Sequence, residues 1–137
     1  MSSYTRERLF KVSKMKKENN FIENLNILDG VIIYNDFDID EEIPFEKQKY
    51  SYKEDILQIK FGDRFLLDVG GLPEFEPDGY FIAQAIQDQD WLEPLLKEKC
   101  RTIPDLKMII EKAAKIINKK MKTKDLPYRD VQYEEWD

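Results

Sequence analysis

The chain of 137 residues contains no histidine and a single cysteine, Cys100. Without histidine, neither a Ser-His-Asp triad nor a Cys-His pair can form. A zinc site built from thiolates and imidazoles is excluded as well. Because neither G-x-x-x-x-G-K-[ST] nor G-x-G-x-x-G occurs, we expect no nucleotide site. We also expect no metal and no cofactor. One thiol cannot close an intramolecular disulfide, which is typical of a protein from a reducing compartment.

Long hydrophobic runs are also absent. No apolar run approaches the ~18 residues of a membrane span, and the polar N-terminus lacks the apolar region of a secretory signal. We therefore expect a cytoplasmic protein without membrane contacts. Eight Phe, seven Tyr and two Trp supply apolar area for a core. A chain of this length favours one folded domain.

Negative charge is concentrated in the middle of the chain. The formal net charge is −6, and residues 36–93 carry sixteen Asp and Glu against five Lys and Arg. Such a region repels phosphates, which predicts no nucleic-acid partner. It would attract a basic protein and speed its encounter, although solubility alone would explain the same charge.

Apolar segments of strand length alternate with turn residues. Ile27–Tyr34 is typical of a strand or of a tight hairpin about Asp29-Gly30. A long acidic loop is predicted over 35–55, with a short edge strand as an option. Further strands are predicted over 56–61 and 65–69, joined as a hairpin, over 80–87 at the centre of the sheet, and over 95–101.

The clearest helix is predicted over 103–120, and a second one over 4–25. Thr102 is placed to cap the first, and an apolar stripe marks its core face. The lysines at its end complement the helix dipole. The fold class expected is α+β: one antiparallel sheet of four to five strands, a C-terminal helix packed on one face and an N-terminal helix. We divide the chain into an N-terminal helical extension (1–25), an α+β domain (26–120) and a C-terminal tail (121–137).

Two acidic motifs could in principle bind calcium or act in catalysis. The segment 36–42 superficially resembles a calcium loop, but Glu41 stands where that loop needs Gly, and Lys47 where it needs Glu. A solvated loop or a docking surface for a basic partner fits it better. Asp88 and Asp90 could form a catalytic carboxylate pair, but their context is polar and turn-like. We expect Asp88 to face solvent, Asp90 to cap a turn before Trp91, and the protein not to be an enzyme.

Four segments carry a resemblance to a known family. They are K-E-D-I-L-Q (Lys53–Gln58), L-D-V-G-G-L-P-E-F-E-P-D-G-Y-F (Leu67–Phe81), D-x-D-W-x-x-P-L (Asp88–Leu95) and C-R-T-I-P-D-L (Cys100–Leu106). Together they are similar to small bacterial immunity proteins of polymorphic toxins and contact-dependent growth inhibition systems. The resemblance implies a cytoplasmic protein that binds the C-terminal toxin domain of a cognate effector, often a nuclease with a basic cleft, and blocks it.

Acidic residues and one tryptophan are the predicted partner-binding residues. They are Asp36, Asp38, Glu41, Glu42, Glu74, Glu76, Asp78, Asp88, Asp90 and Trp91. The two ends of the predicted central strand, 71–78 and 88–93, should then share a face with the 36–46 loop. Two alternatives stay open: an adaptor or regulatory module for a basic protein, and a small carboxylate-based hydrolase. The oligomeric state also stays open.

Overall fold

The computed structural model describes residues 21–72 and 79–129, which fold as an α+β domain. Five strands form one antiparallel sheet, and a helix near the C-terminus packs against it, which confirms the predicted fold class. The elements are β1 (Val31–Asn35), β2 (Leu57–Phe61), β3 (Phe65–Leu72), β4 (Tyr80–Gln87), β5 (Leu96–Cys100) and α1 (Ile103–Met121). Of the helix predicted over 4–25, residues 4–20 lie outside the described residues. Residues 21–23 are helical, residue 24 is in a turn, and residue 25 has no regular structure.

The order of strands in the sheet is the order in the sequence, β1-β2-β3-β4-β5. β3 therefore occupies the middle, and the prediction that Tyr80–Gln87 is the central strand is wrong. β4 is nevertheless an internal strand between β3 and β5, which explains why both of its faces are apolar. The predicted hairpin of β2 and β3 is confirmed. Its turn uses Gly62 at φ 62, a backbone conformation that glycine adopts without steric cost.

α1 buries its apolar stripe against β3, β4 and β5. The predicted stripe residues are all buried, together with Ala114: Leu106, Ile109, Ile110, Ala113 and Ile117. Burying a Leu or Ile side chain contributes about 1.5–3 kcal/mol. The helix begins as predicted, because Oγ1 of Thr102 accepts a hydrogen bond of 3.1 Å from the backbone N–H of Asp105. Such a cap contributes about 1 kcal/mol.

The chain before β2 departs from the predicted pattern. The segment Ile27–Gly30 forms a turn, closed by a 2.9 Å bond from the Gly30 N–H to the Ile27 carbonyl, so β1 begins only at Val31. Residues 36–56, all of them described, contain two 3₁₀ turns and no strand. Phe37 and Ile39 in this loop are buried in the core. The loop is thus anchored by alternate apolar residues, and its acidic residues lie between them.

The sheet has two unlike faces. Leu57, Ile59, Leu67, Val69 and Ala83 point towards α1 and are buried. Because side chains alternate along a strand, their neighbours in sequence point to the opposite side, which we call the outer face. The outer face carries Gln58, Lys60, Leu66, Asp68, Gly70, Ile82, Gln84, Ile86, Lys97 and Lys99.

A candidate binding groove on the outer face

A row of polar residues crosses the outer face from edge to edge. Strand pairing aligns Tyr34 with Gln58, Gln58 with Asp68, Asp68 with Gln84, and Gln84 with Lys97. Neighbouring strands lie about 4.8 Å apart, so these side chains form one continuous line. The single carboxylate, Asp68, lies at the centre of this line, on β3.

A groove of about 340 Å³ opens over this row. Its lining residues come from β2, β3, β4 and the segments that flank the sheet: Glu54, Asp55, Gln58, Asp68, Gly70, Gly71, Ile82, Gln84 and Trp91. Gly70 permits the arrangement, because a side chain at this position would collide with the carbonyl oxygen of Glu54. The close approach of the two backbones brings Glu54 and Asp55 to the rim.

Asp68 is an unusual residue for the surface of a sheet. It is 8% exposed, and its Oδ1 accepts a 2.8 Å hydrogen bond from Nε2 of Gln58, while no described residue donates to its Oδ2. Desolvation raises the pKa of Asp68, the Gln58 hydrogen bond opposes the rise, and the charges of Asp55 and Glu54 add to it. Within the described residues, no Lys or Arg forms an ion pair with any of these carboxylates.

Trp91 reaches the groove from the corner between β4 and β5. Asp88 and Gln89 adopt φ 53 and φ 61, and the Asp90 N–H donates to the Gln87 carbonyl at 3.0 Å. Two successive left-handed residues reverse the chain tightly, as in a type I′ turn. Trp91 is left 46% exposed beside Ile82 and Gln84. A half-exposed tryptophan next to charged groups is typical of a binding hot spot.

The carboxylates of Asp88 and Asp90, by contrast, are held by arginines of the same chain. Nε and Nη2 of Arg64 each donate to Asp88 at 2.8 Å, and Nη1 of Arg129 donates to Asp90 at 2.8 Å. The prediction that Asp88 faces solvent is wrong, because its side chain is 6% exposed. The Arg64 hydrogen bonds, supported by the N–H of Arg129, hold the pKa of Asp88 at about 2. Asp90 does cap a turn, as its Oδ1 accepts from the Glu93 N–H at 3.3 Å.

Arg64 also fastens the C-terminal segment. Its Nη1 and Nη2 donate to the carbonyls of Leu126 and Pro127 at 2.7 and 2.8 Å, and its guanidinium lies 3.8 Å from the ring centre of Tyr128. We call this assembly of Arg64, Asp88, Asp90, Arg129 and residues 126–128 the arginine clamp. Within it, Asp88 and Asp90 stabilise the fold and are already paired.

The acidic residues predicted for binding over 36–42 lie beside the groove without lining it. Asp36 pairs with Nζ of Lys53 at 2.6 Å, and the negative charge of Asp38 also acts on that lysine. Because Lys53 directly precedes Glu54, the loop and the groove rim adjoin. Glu41 and Glu42 are exposed on the loop. Glu74, Glu76 and Asp78 lie outside the described residues, so their predicted role stays a prediction.

The carboxylates that line the groove are not among the predicted partner-binding residues. A signal for Asp68 exists, because a lone aspartate interrupts the apolar run of β3 between Leu67 and Val69. Glu54 and Asp55 have no comparable signal, since only the fold carries them to the rim. Cys100 is half-buried, and burial raises the pKa of its thiol to about 11. Cys100 is therefore protonated at neutral pH and a poor nucleophile.

In the part of the chain that the structure describes, no group of three or more Asp, Glu or Cys side chains is placed to hold a metal ion. The same residues include no helix with the length and apolarity needed to cross a bilayer. Comparison of the chain with protein families, with curated proteins and with solved structures finds no significant match.

Proposed function

We propose that this protein is a cytoplasmic immunity-type inhibitor, which binds a basic toxin domain through the outer face of its sheet and blocks that domain. The observation that carries the proposal is the groove. It combines an unpaired, largely buried carboxylate with two further acidic residues and an exposed tryptophan. Leaving a desolvated carboxylate without a cation is costly for a fold, and a cationic partner surface would offset that cost.

The surroundings of the groove support a protein partner. Val31, Tyr34, Trp91 and Leu92 are 62%, 41%, 46% and 81% exposed. Val31 and Tyr34 lie on the outer face of the edge strand β1, opposite Lys60 and Gln58. Aromatic and apolar anchors around a polar groove are typical of protein interfaces. The acidic residues of 36–93 would add long-range attraction to a basic nuclease-type cleft.

Co-expression tests the proposed function directly. The toxin domain encoded by the gene immediately upstream is expressed in cells with or without this chain, and we expect growth only when the chain is present. Mixing the purified proteins should give a one-to-one complex. Cells that die despite a full level of the folded chain would exclude the immunity function. An adaptor would bind a basic protein without a neighbouring toxin gene and would confer no rescue.

A charge test examines steering separately from contact. Replacing Asp36, Asp38, Glu41 and Glu42 by Asn or Gln should slow association about tenfold at low salt and flatten its salt dependence. The dissociation rate should change little, because none of these residues lines the groove. Unchanged association would show that the loop plays no part in steering.

A carboxylate-based hydrolase is the second candidate, favoured by the raised pKa of Asp68 inside a cleft with two other acidic residues. A carboxyl group that stays protonated can act as a general acid. The hypothesis predicts hydrolysis of glycoside or ester substrates that Asp68→Asn abolishes. Turnover that is equal in the wild type and in Asp68→Asn would exclude it.

A further inference from the structure

The floor of the groove is equipped for one kind of ligand group. Oδ2 of Asp68 receives no hydrogen bond from the described residues. Because Nε2 of Gln58 donates to Asp68, its Oε1 is left as an acceptor to which no described residue donates. The side-chain amide of Gln84, on the other side of Asp68, forms no hydrogen bond within the described residues. These acceptors suit a ligand with several N–H donors.

The wall of the groove favours a flat cation. Trp91 lines it with its aromatic ring system and stays 46% exposed. A guanidinium group can lie over an indole while its N–H groups donate in its own plane, whereas an ammonium group donates from a single point. The groove therefore has the elements of an arginine site.

We propose that the groove receives one arginine side chain of the toxin domain, an inference that rests on the proposed immunity function. The guanidinium lies between the carboxylate of Asp68 and the indole of Trp91, with the amide oxygens of Gln58 and Gln84 as additional acceptors. Occupation supplies a counter-charge for Asp68, a residue that is 8% exposed. Arg64 and Arg129 already bind Asp88 and Asp90 in this manner within the chain.

The charge along the outer face changes from negative at Asp68 to positive at the lysines of β5. Lys97 lies in the same cross-sheet row, two strands away from Asp68, and Lys99 lies next to Ile82. These cations border the groove on the β5 side and would repel a second positive group there. This distribution of charge favours one arginine in the groove over two.

A short peptide tests the site without the toxin. Blocked Gly-Arg-Gly is titrated into the full-length protein, with Gly-Lys-Gly and Gly-citrulline-Gly as probes of charge and shape. The carboxyl ¹³C signal of Asp68 and the indole N–H signal of Trp91 are followed by NMR. We expect saturable shifts of both with the arginine peptide in the millimolar range, weaker binding of the lysine peptide and none of the citrulline peptide.

Matched variants assign the contacts. Asp68→Asn should weaken binding of the arginine peptide about tenfold or more, and Trp91→Leu about threefold to tenfold. Lys97→Gln should strengthen it about twofold by removing repulsion. Asp63→Asn is the control, because the Asp63 side chain is 99% exposed and remote from the groove lining. Absence of saturable shifts at Asp68 up to about 50 mM, or equal binding by Asp68→Asn, would overturn the arginine site.

The outcome is separable from that of the proposed function. If the peptide binds at Asp68 and co-expression gives no rescue, the arginine site holds and the immunity function fails. If the chain rescues cells as well with Asp68→Asn as without it, and the peptide does not bind, inhibition uses another surface and the arginine site is wrong.

Discussion

Asp68 and Asp88 are two largely buried aspartates whose surroundings treat their charge in opposite ways. Asp88 receives two N–H donors from Arg64, and its pKa is held at about 2. Asp68 receives one amide N–H, from Gln58, and its desolvation raises its pKa. The comparison separates two uses of a buried carboxylate. One joins distant segments of the fold, and the other is left for a ligand.

The largest effect on stability is expected from removing the charge of Asp88, the aspartate that is paired with arginine. Asp88→Asn should lower the free energy of unfolding by about 2 kcal/mol, because the buried side chain at position 88 no longer accepts the hydrogen bonds of Arg64 as an anion. Urea denaturation monitored by circular dichroism measures the loss. Asp63→Asn, at an exposed carboxylate 3.9 Å from Lys60, should change stability by less than about 0.5 kcal/mol. Equal stabilities of the two variants would contradict the role assigned to Asp88.

The contributions of Asp88 and Asp68 to stability should change with pH in opposite directions. Because the folded pKa of Asp88 is about 2 and its ordinary value is 3.8, its stabilisation is complete above about pH 4 and is lost as the pH falls towards 2. Asp68 has the opposite effect. Because its pKa is raised in the folded state, protonation of Asp68 stabilises the fold below pH 3.8. This stabilisation is lost as the pH rises from 3.8 through the pKa of Asp68 in the folded protein. Stability measured from pH 2 to 7 should rise less steeply for Asp88→Asn below pH 4. It should rise more steeply for Asp68→Asn above pH 4. Superimposable curves would refute the assignment.

Removing the charge of Asp68, the aspartate without an ion pair among the described residues, should stabilise the protein. Asp68→Asn removes a desolvated charge and keeps an acceptor for Gln58, so we expect a gain of about 1 kcal/mol at pH 7. The same substitution should weaken binding of the arginine peptide. A loss of stability instead would mean that Asp68 is a structural residue like Asp88. Differential scanning calorimetry at pH 7 distinguishes the two.

The smallest effect concerns the aromatic cover of the arginine clamp. Tyr128→Leu should cost about 0.5–1 kcal/mol, because the ring of Tyr128 lies 3.8 Å from the guanidinium carbon of Arg64 and is otherwise 74% exposed. Tyr128→Phe keeps the ring and should be close to the wild type in thermal unfolding. A loss as large for Phe as for Leu would trace the effect to the hydroxyl group.

Much of the fold follows from local sequence pattern, whereas the site does not. The apolar stripe and the cap at Thr102 specify α1, and apolar segments of strand length between turn residues specify β2, β3, β4 and β5, because these signals depend only on neighbours in the chain. The strand order within the sheet carries no such local signal, so the middle position was assigned to β4 in place of β3.

The site depends on pairings that no local pattern contains. Asp88 was predicted to face solvent because its hydrogen-bond donors, the guanidinium of Arg64 and the backbone N–H of Arg129, are 24 and 41 residues away in sequence. Asp68 was overlooked because its importance comes from the absence of such a partner. Trp91 was predicted to bind a partner because acidic residues flank it. It lines the groove, and its role in binding stays a prediction.

The strand order has a consequence for how the chain folds. Every strand pairs with the one before it, so the sheet can grow hairpin by hairpin with short loop closures. The contacts of Arg64 with Leu126 and Pro127 close loops of 62 and 63 residues and depend on the finished hairpins. We therefore expect the C-terminal segment to dock last, with its contacts absent from the rate-limiting barrier. Weakening the arginine clamp would then speed unfolding and leave the refolding rate almost unchanged.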